Sequence, residues 1–536
     1  MLPNIPNRSA AARVPITGFG GLDRRAAAAN GAIIDTENLT AADVPVLSSR
    51  RKRKTAAALS NPRGIFAVGT KLFYVDANTM YKDGTAYAGT MPAGADAERI
   101  FAALGTRLVV WPDKRIYDTE GTTQDQLAKS RNSLCVFEDG TYAGEPAEGN
   151  TIRDTATGSF VWTDLFKVGD AVTITCNTMP QNNKTAIIRE INGKELRFYE
   201  NTFETDSSSR QVTVARTVPD LDYICVNENR VWGCKGDTIR CCKLGDPTNW
   251  NVFDGLSTDA WSVETGTPGN FTGCISFMGY PIFFKEDRVF KVYGNRPSNF
   301  ELMSSATLGV VDGRSMAVAG ETLFYLSRAG FVRYNGGYPS AVDAPLNANY
   351  SAGAAGSDGK RYYVSALRSD SVREFLVYDP EMGLWIKEDN LSAKGFANVG
   401  NVLYAQTAAA NVVVAGASAP DEAAFDSGAT FADFDLQTFG SKYPVRLWLR
   451  YECDPLYATI DGATTDTAAL TVTISYNGGT FETVVTLPSG QKHTMYVPVP
   501  IRRCDSFRVK IRSNSAFKLY AMEIETRAER TNRKGG

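Results

Sequence analysis

The stretch that decides the fold reads GETLFYLSRAGFVRY over residues 320–334. A glycine-led turn precedes a run of apolar and aromatic residues, and a second glycine introduces a second such run. This is the pattern of a β-hairpin, and it recurs along the chain at about forty-residue spacing. The seven copies begin at Gly69, Gly105, Asn229, Gly279, Gly320, Gly359 and Gly400.

A repeat of this length with one clear hairpin predicts the four-stranded blade of a β-propeller. A single blade cannot bury both of its faces, so several blades must stack on one another. We therefore predict an all-β chain built around a propeller of six or seven blades. A β-sandwich with coincidental spacing is the alternative interpretation.

The repeat is interrupted between residues 126 and 218, where short strand-like runs are joined by the hairpin turn signal Asn192-Gly193. Because loops tolerate insertions better than strands do, this segment is predicted to be a small β-barrel inserted into the propeller. After the propeller, alternating runs such as residues 445–451 predict a C-terminal β-sandwich, of which a jelly roll is one form.

A chain of 536 residues is too long for a single core. The expected divisions are an N-terminal arm (1–62), the first part of the propeller (63–125), the inserted barrel (126–218), the second part of the propeller (219–420), the sandwich (421–527) and a basic tail (528–536).

The composition is that of a globular protein, since 43% of residues are hydrophobic and 22% are charged. No apolar run has the length needed to cross a bilayer. Residues 1–13 lack the pattern of a secretory signal, so we expect the chain to fold in a cytosol. The nine cysteines are irregularly spaced and are interpreted as buried, reduced thiols.

His493 is the only histidine of the chain. Nucleophilic triads need a histidine, and zinc sites take several His or Cys ligands at fixed spacing. We therefore predict a protein that is not an enzyme, with no catalytic residue, no metal and no cofactor.

The net charge is −2, but one block is strongly basic: Arg50, Arg51, Lys52, Arg53 and Lys54. Such a block can contact DNA phosphates or an acidic protein surface, and a solvated arm is the equally weighted alternative.

Three short patterns near the N-terminus carry a resemblance. Residues 18–22 read GFGGL, residues 35–38 read DTEN and residues 45–50 read PVLSSR. This order resembles the opening of many bacteriophage tail proteins, in which glycine-leucine, D-x-x-N and P-x-L-x-x-R precede a propeller. The turn LGDPTNW at 244–250, and AGF followed by NGGYP within 329–339, resemble propeller turns of phage tail nozzle and DNA-stabilisation proteins. The chain is most similar in style to the podophage tail nozzle, or tail tubular protein B, family.

The resemblance implies a structural protein of the virion tail, made and assembled in the cytoplasm of the host bacterium. It implies a homo-oligomeric ring, of six copies, below the portal and adaptor, through which double-stranded DNA passes without sequence specificity. A near-neutral chain suits this role, because phosphate contacts would slow the sliding of DNA. The basic block at 50–54 would contact that DNA or the adaptor.

Two other functions stay open. A polysaccharide-binding or polysaccharide-degrading propeller could use two carboxylates without any histidine, and the candidates near the 244–250 turn are Asp246, Asp254, Asp259 and Glu264. A receptor-binding tail protein could recognise host glycans with the aromatic residues of the sandwich, Trp448 or Tyr451. For the turn at 244–250 itself, a structural role without a ligand is the preferred interpretation.

Overall fold

The structure is a computed structural model and describes residues 11–26, 28–29, 31–199, 202–435, 440–460 and 463–528. Within these residues the chain is all-β, as predicted, and contains no α-helix. No helix in this part of the chain is long and apolar enough to cross a membrane. The chain divides into two compact units, which we call the terminal unit (residues 1–59 and 314–536) and the middle unit (residues 60–313).

Five strands precede the repeat. They are β1 (Ala11–Ile16), β2 (Ile33–Glu37), β3 (Leu39–Thr40), β4 (Leu47–Ser49) and β5 (Lys54–Ala58).

The middle unit holds four four-stranded antiparallel sheets and a closed six-stranded barrel. Sheet 1 consists of β6 (Pro62–Val68), β7 (Lys71–Asp76), β8 (Thr79–Lys82) and β9 (Thr85–Ala86). Sheet 2 consists of β10 (Ile100–Leu104), β11 (Arg107–Trp111), β12 (Arg115–Asp118) and β13 (Gln124–Gln126). The barrel consists of β14 (Lys129–Tyr142), β15 (Glu145–Asp154), β16 (Ala171–Thr175), β17 (Lys184–Asn192), β18 (Glu195–Phe198) and β19 (Asp206–Arg216). Sheet 3 consists of β20 (Tyr223–Asn227), β21 (Arg230–Lys235), β22 (Thr238–Cys241) and β23 (Trp261–Glu264). Sheet 4 consists of β24 (Gly273–Phe277), β25 (Tyr280–Lys285), β26 (Arg288–Tyr293) and β27 (Glu301–Ala306).

The terminal unit holds three more four-stranded sheets and two larger ones. Sheet 5 consists of β28 (Ala317–Ala319), β29 (Thr322–Ser327), β30 (Gly330–Tyr334) and β31 (Ser340–Ala341). Sheet 6 consists of β32 (Tyr350–Ser357), β33 (Tyr362–Arg368), β34 (Arg373–Asp379) and β35 (Leu384–Asp389). Sheet 7 consists of β36 (Gly395–Val399), β37 (Val402–Gln406), β38 (Ala410–Ala415) and β5. The remaining strands are β39 (Ser427–Phe431), β40 (Lys442–Cys453), β41 (Tyr457–Ile460), β42 (Ala463–Asp466), β43 (Leu470–Tyr476), β44 (Glu482–Leu487), β45 (Gly490–Pro498), β46 (Phe507–Ser513) and β47 (Phe517–Ala528). Five short 3₁₀ helices lie between strands, at Trp162–Asp164, Pro180–Asn182, Pro297–Asn299, Gly313–Ser315 and Ala344–Leu346.

Each hairpin of the sequence repeat forms the two central strands of one four-stranded sheet. The second strand of a sheet can be apolar through its centre rather than in alternation: the four central residues of β29, Leu323, Phe324, Tyr325 and Leu326, are all buried. A strand with this pattern is covered on both faces. The repeat therefore encodes sheets that must be packed between neighbours.

Within each unit the small sheets pack face to face in chain order. In the middle unit, Phe73 of sheet 1 shares an apolar cluster with Val110 of sheet 2. Val109 of sheet 2 shares another with Val231 of sheet 3, although the barrel lies between these sheets in sequence. The barrel is therefore an insertion that leaves the packing of sheets 2 and 3 intact.

The stacking continues between sheets 3 and 4 through a cluster that includes Trp232 and Phe283. In the terminal unit, Phe324 of sheet 5 and Val364 of sheet 6 share a cluster. Phe375 of sheet 6 stacks on Phe396, which lies in sheet 7. Every small sheet thus buries apolar side chains against a neighbouring sheet of its own unit.

Two larger sheets lie in the terminal unit, and both take strands from each end of the chain. One has the order β3-β4-β47-β40-β45, with β1 also paired to β47, and the other has the order β2-β39-β46-β43-β44. Strand β40 alternates, so that Leu447 and Leu449 point into one buried cluster with Val472 and Ile474 of the second sheet. The two sheets therefore share one core.

The expected N-terminal arm (1–62) is wrong for the residues that the structure describes. Strands β1 to β5 are built into sheets of the terminal unit, and Ile33, Leu39 and Leu47 belong to its core. The physical reason is burial of apolar side chains, which a solvated arm would leave in water. The barrel strands run from Lys129 to Arg216, inside the expected 126–218, and most of the basic tail (529–536) lies outside the described residues.

We expect the stacking of sheets 3 and 4 to depend on Phe283, whose side chain is 0% exposed. Phe283→Ala should lower the free energy of unfolding by about 3–5 kcal/mol, because it removes buried apolar surface and leaves a cavity. Met278→Ala is the matched control, since Met278 lies in the same sheet's first turn and is 59% exposed. Guanidinium unfolding of the three proteins measures the difference, and equal losses for both variants would contradict this packing.

Candidate functional site

The five residues of the basic block at 50–54 differ in their exposure to solvent. Arg51 and Lys52 are exposed, and Lys54 is half-buried in β5. Arg50 and Arg53, however, are only 7% and 5% exposed. The alternative of a solvated arm is therefore wrong for these two arginines. The contact of the block with DNA or an adaptor stays a prediction.

Arg50 is held by three groups of the terminal unit. Its Nη1 and Nη2 donate to the two carboxylate oxygens of Glu422, each at 2.7 Å, and its Nε donates to Oδ1 of Asn38 at 2.8 Å. The guanidinium also lies 3.5 Å from Asp389. A bidentate arginine–carboxylate pair of this kind fixes orientation as well as charge. Burial disfavours the charged form of Glu422, but the bonds from Arg50 outweigh this effect and lower the pKa of the carboxyl.

Arg53 joins the same network from the other side. Its Nη1 donates to Asp389 at 2.5 Å, its Nη2 donates to Glu388 at 2.8 Å, and its backbone N–H donates to Glu422 at 2.7 Å. Burial raises the pKa of Glu388, and Arg53 opposes that rise. We call Arg50, Arg53, Glu388, Asp389 and Glu422 the arginine clamp.

The clamp explains part of the N-terminal pattern. Asn38 ends the D-x-x-N element and Arg50 ends the P-x-L-x-x-R element, and the backbone N–H of Arg50 donates to the Asn38 carbonyl at 2.8 Å. Asp35, which begins the first element, pairs with Lys387 of β35 at 2.5 Å. The side-chain amide of Asn38 donates to the Asp426 carbonyl at 2.7 Å. The pattern therefore ties the N-terminal segment to sheet 6 and to the segment that precedes β39.

The turn at 244–250 joins sheet 3 to the barrel inside the middle unit. Asp246 pairs with Lys167 of the barrel at 2.7 Å, and the Asn249 amide donates to Asp246 at 2.6 Å and to Asp170 at 3.0 Å. Asp170 is fully buried and also accepts from Arg216, the last residue of β19, at 2.5 Å. The turn thus has a structural role: it holds the barrel loop that contains Lys167 and Asp170.

Trp250 completes this turn and is almost fully buried. Its ring packs edge-on against Trp111 of sheet 2, with centroids 5.9 Å apart, and its Nε1 donates to the Pro247 carbonyl at 2.8 Å. The tryptophan therefore covers the junction between sheets 2 and 3, next to the inserted barrel.

The four carboxylates considered for sugar hydrolysis have different environments. Burial opposes ionisation of Asp246, but bonds from Lys167, Thr248 and Asn249 outweigh it and lower its pKa to about 2. A general acid needs a raised pKa, so Asp246 does not fit that role. Asp259 is buried and accepts from the Leu256 N–H at 3.0 Å, whereas Asp254 and Glu264 are exposed.

The two aromatic residues considered for glycan binding pack against other side chains of the terminal unit. Tyr451 is 0% exposed and belongs to the core, so its proposed stacking on sugars is wrong. Trp448 is half-buried, with the Arg13 guanidinium 4.9 Å from its ring and the Tyr496 ring 5.9 Å away. Strand alternation decides the difference, because neighbouring positions of β40 face opposite sides of the sheet.

All nine cysteines are free and buried. Cys234 and Cys241 lie in the cluster between sheets 3 and 4, and Cys242 lies in the cluster between sheets 2 and 3. Burial raises the pKa of the Cys241 thiol to about 12. These thiols therefore pack as small apolar side chains.

No protein-family model and no curated protein matches the chain. Among solved structures, it is similar to one of PorZ, a bacterial surface component of the type-IX secretion system of Porphyromonas gingivalis. That match has 13% identity and a TM-score of 0.26, and covers 92% of this chain and 81% of the other. A glycoside hydrolase matches with 9% identity and a TM-score of 0.20, over 89% of this chain and all (100%) of the other. An engineered GH43 glycoside hydrolase matches with 8% identity and a TM-score of 0.19, over 58% of this chain and 97% of the other. Similarities at these TM-scores carry no argument about fold or function.

The arginine clamp leads to a prediction about stability. Arg53→Ala should lower the free energy of unfolding by about 3–5 kcal/mol, because it leaves the buried Glu388 carboxyl without its cation. Arg51→Ala, which removes the same charge from an exposed neighbour, should change it by less than about 0.5 kcal/mol. Chemical unfolding followed by tryptophan fluorescence measures both. Similar small effects would show that Arg53 is not part of a buried network.

A second prediction concerns the stability of the fold at low pH. The folded pKa of Asp246, about 2, lies below its ordinary value of 3.8, so its ionised form stabilises the fold. This contribution, about 2 kcal/mol at most, is complete above pH ~4 and is lost as the pH falls towards ~2. Asp246→Asn should therefore be less stable than the parent at neutral pH, and the difference should shrink across that window. Glu321→Gln is the control, because Glu321 is exposed in the turn before β29 and should leave the pH profile unchanged. A difference that persists unchanged at pH ~2 would contradict the assignment.

Proposed function

We propose that the chain is a structural subunit of a bacteriophage tail, of the tail nozzle type, which assembles into a ring and conducts DNA. One observation carries the proposal. The N-terminal pattern that resembles phage tail proteins is built into the terminal unit as a set of specific contacts: Asn38 and Arg50, twelve positions apart, are joined by two hydrogen bonds of 2.8 Å. The residues that carry the resemblance therefore make contacts that hold the fold together. This supports a shared origin with phage tail proteins rather than a chance similarity of composition.

The seven small sheets support a propeller of seven blades. They stack in chain order within each unit, and stacking of repeated four-stranded sheets is how propellers bury both faces of each blade. Strand β5, which directly precedes sheet 1 in the chain, is the fourth strand of sheet 7. In a propeller whose blades form a closed ring, we expect the last blade to take one strand from the segment that precedes the first blade. The two larger sheets, with their common core, support the proposed C-terminal β-sandwich.

The charge distribution supports a conduit that does not hold DNA tightly. Arg50 and Arg53 are the two buried cations of the basic block, and carboxylates within the terminal unit neutralise both. They are therefore unavailable for phosphate contacts, each of which would strengthen the binding of DNA. The net charge of −2 agrees with this. In this proposal DNA passes by sliding and without sequence readout.

The proposed setting is the virion tail, after assembly in the host cytoplasm. Six copies form the ring, and the portal and adaptor lie above it. The alternatives, a polysaccharide-degrading propeller and a receptor-binding tail protein, have less support: Asp246 is paired with Lys167 and hydrogen-bonded by Asn249, and Tyr451 is buried in the core.

Electron microscopy of the purified protein tests the proposal. We expect rings with a central channel, six-fold in projection, either alone or after mixing with the adaptor protein encoded by the same genome. Analytical ultracentrifugation of the same samples checks that the rings are the main species in solution.

Monomers in both samples would overturn the ring. Cleavage of capsular or cell-wall polysaccharide by that monomer would then favour the enzyme instead, and binding to host cells would favour the receptor-binding protein.

A further inference from the structure

A cleft of about 490 Å³ lies beside the arginine clamp, wholly within the terminal unit. Four segments of the chain form its walls: residues 49–52, the connection 417–425 that follows sheet 7, and two loops of the larger sheets at 454–456 and 514–516. Because the walls come from segments held by the clamp and by β-sheet pairing, the cleft is a built feature of the fold.

The lining of the cleft is largely apolar. Pro420, Phe425, Pro455, Leu456 and Ala516 contribute to it. The guanidinium of Arg50 lies over the Phe425 ring, 4.0 Å from its centroid. This contact holds the aromatic ring in place, since Arg50 is itself held by Glu422. The cleft can therefore accept apolar side chains against a rigid surface.

Charged groups at the cleft are not used by the fold. Arg51 and Lys52 line it, are exposed, and make no ion pair within the part of the chain that the structure describes. Asp454, from another wall, is also exposed and makes no ion pair there. The cleft thus offers two free cations and one free carboxylate around an apolar lining.

We infer that this cleft binds an extended, acidic peptide segment of a partner protein, one that alternates carboxylates with apolar side chains. The carboxylates pair with Arg51 and Lys52, the apolar side chains occupy the lining beside Phe425, and a backbone N–H donates to Asp454. Such charge complementarity sets specificity at a docking site.

A DNA backbone fits the same cleft poorly. Phosphates bring no apolar group to the lining beside Phe425 and are repelled by Asp454. The two cations that could have extended a phosphate track, Arg50 and Arg53, are already paired. Of the two contacts expected for the basic block, the structure therefore favours an acidic protein surface, supplied by its exposed half. The assignment goes beyond the ring proposal and does not depend on it, because one chain forms the whole cleft.

Fluorescence anisotropy with the full chain tests the inference. The probe is a labelled short peptide of alternating leucine and aspartate, and the comparison probes are a leucine–lysine peptide and a short DNA duplex. We expect only the acidic peptide to bind. The double variant Arg51→Glu/Lys52→Glu should weaken its binding at least about tenfold, because like charges then meet in the cleft.

Two further variants sharpen the test. Ala424→Trp, which fills the cleft and leaves its charge unchanged, should also weaken binding at least about tenfold. Arg328→Glu/Lys360→Glu makes the same charge change at exposed positions of the terminal unit outside the cleft and should leave binding unchanged. Circular dichroism checks the fold of each variant.

Three results would overturn the inference: binding of the DNA duplex in preference to the acidic peptide, no binding of that peptide, or equal loss in the control double variant. None of them bears on ring formation, which microscopy measures separately.

Discussion

The arginine clamp is the interaction on which the terminal unit depends. Two guanidinium groups, from Arg50 and Arg53, lie almost without exposure among three carboxylates that come from β35 and from the segment after sheet 7. Charges in such a position are tolerated only when they are paired and hydrogen-bonded. Once formed, the clamp fixes the path of residues 38–53 and so brings β5 to the edge of sheet 7.

A second constraint acts on the seven small sheets. Their central strands are apolar on both faces, as in β29 and β33, so none of these sheets is stable alone in water. Each is stable only between neighbours, which leaves insertions to the loops. The barrel follows this rule, because its residues lie in the connection between sheets 2 and 3. Trp250 and Trp111 still pack across the junction of those two sheets.

The candidate site could be predicted only in part. A run of five basic residues is a local signal that can be recognised in the sequence. It could not show that Arg50 and Arg53 face inwards, because their partners Glu388, Asp389 and Glu422 lie more than three hundred positions away. No local pattern separates them from their neighbours, since the buried positions 50 and 53 are three apart, which is not the period of a strand. The apolar lining beside the exposed pair comes from loops that no sequence pattern connects.

What the sequence determined by itself is the set of local elements: the seven hairpins, the interruption at 126–218 and the alternating strands such as β40. Turn residues and side-chain period are properties of short segments, so they can be recognised without the rest of the chain. The tertiary structure alone decided the long-range pairings, in which β1 joins β47, β2 joins β39 and β5 joins β38. Sheet edges accept any strand of suitable length, and only packing against a common core selects the partner.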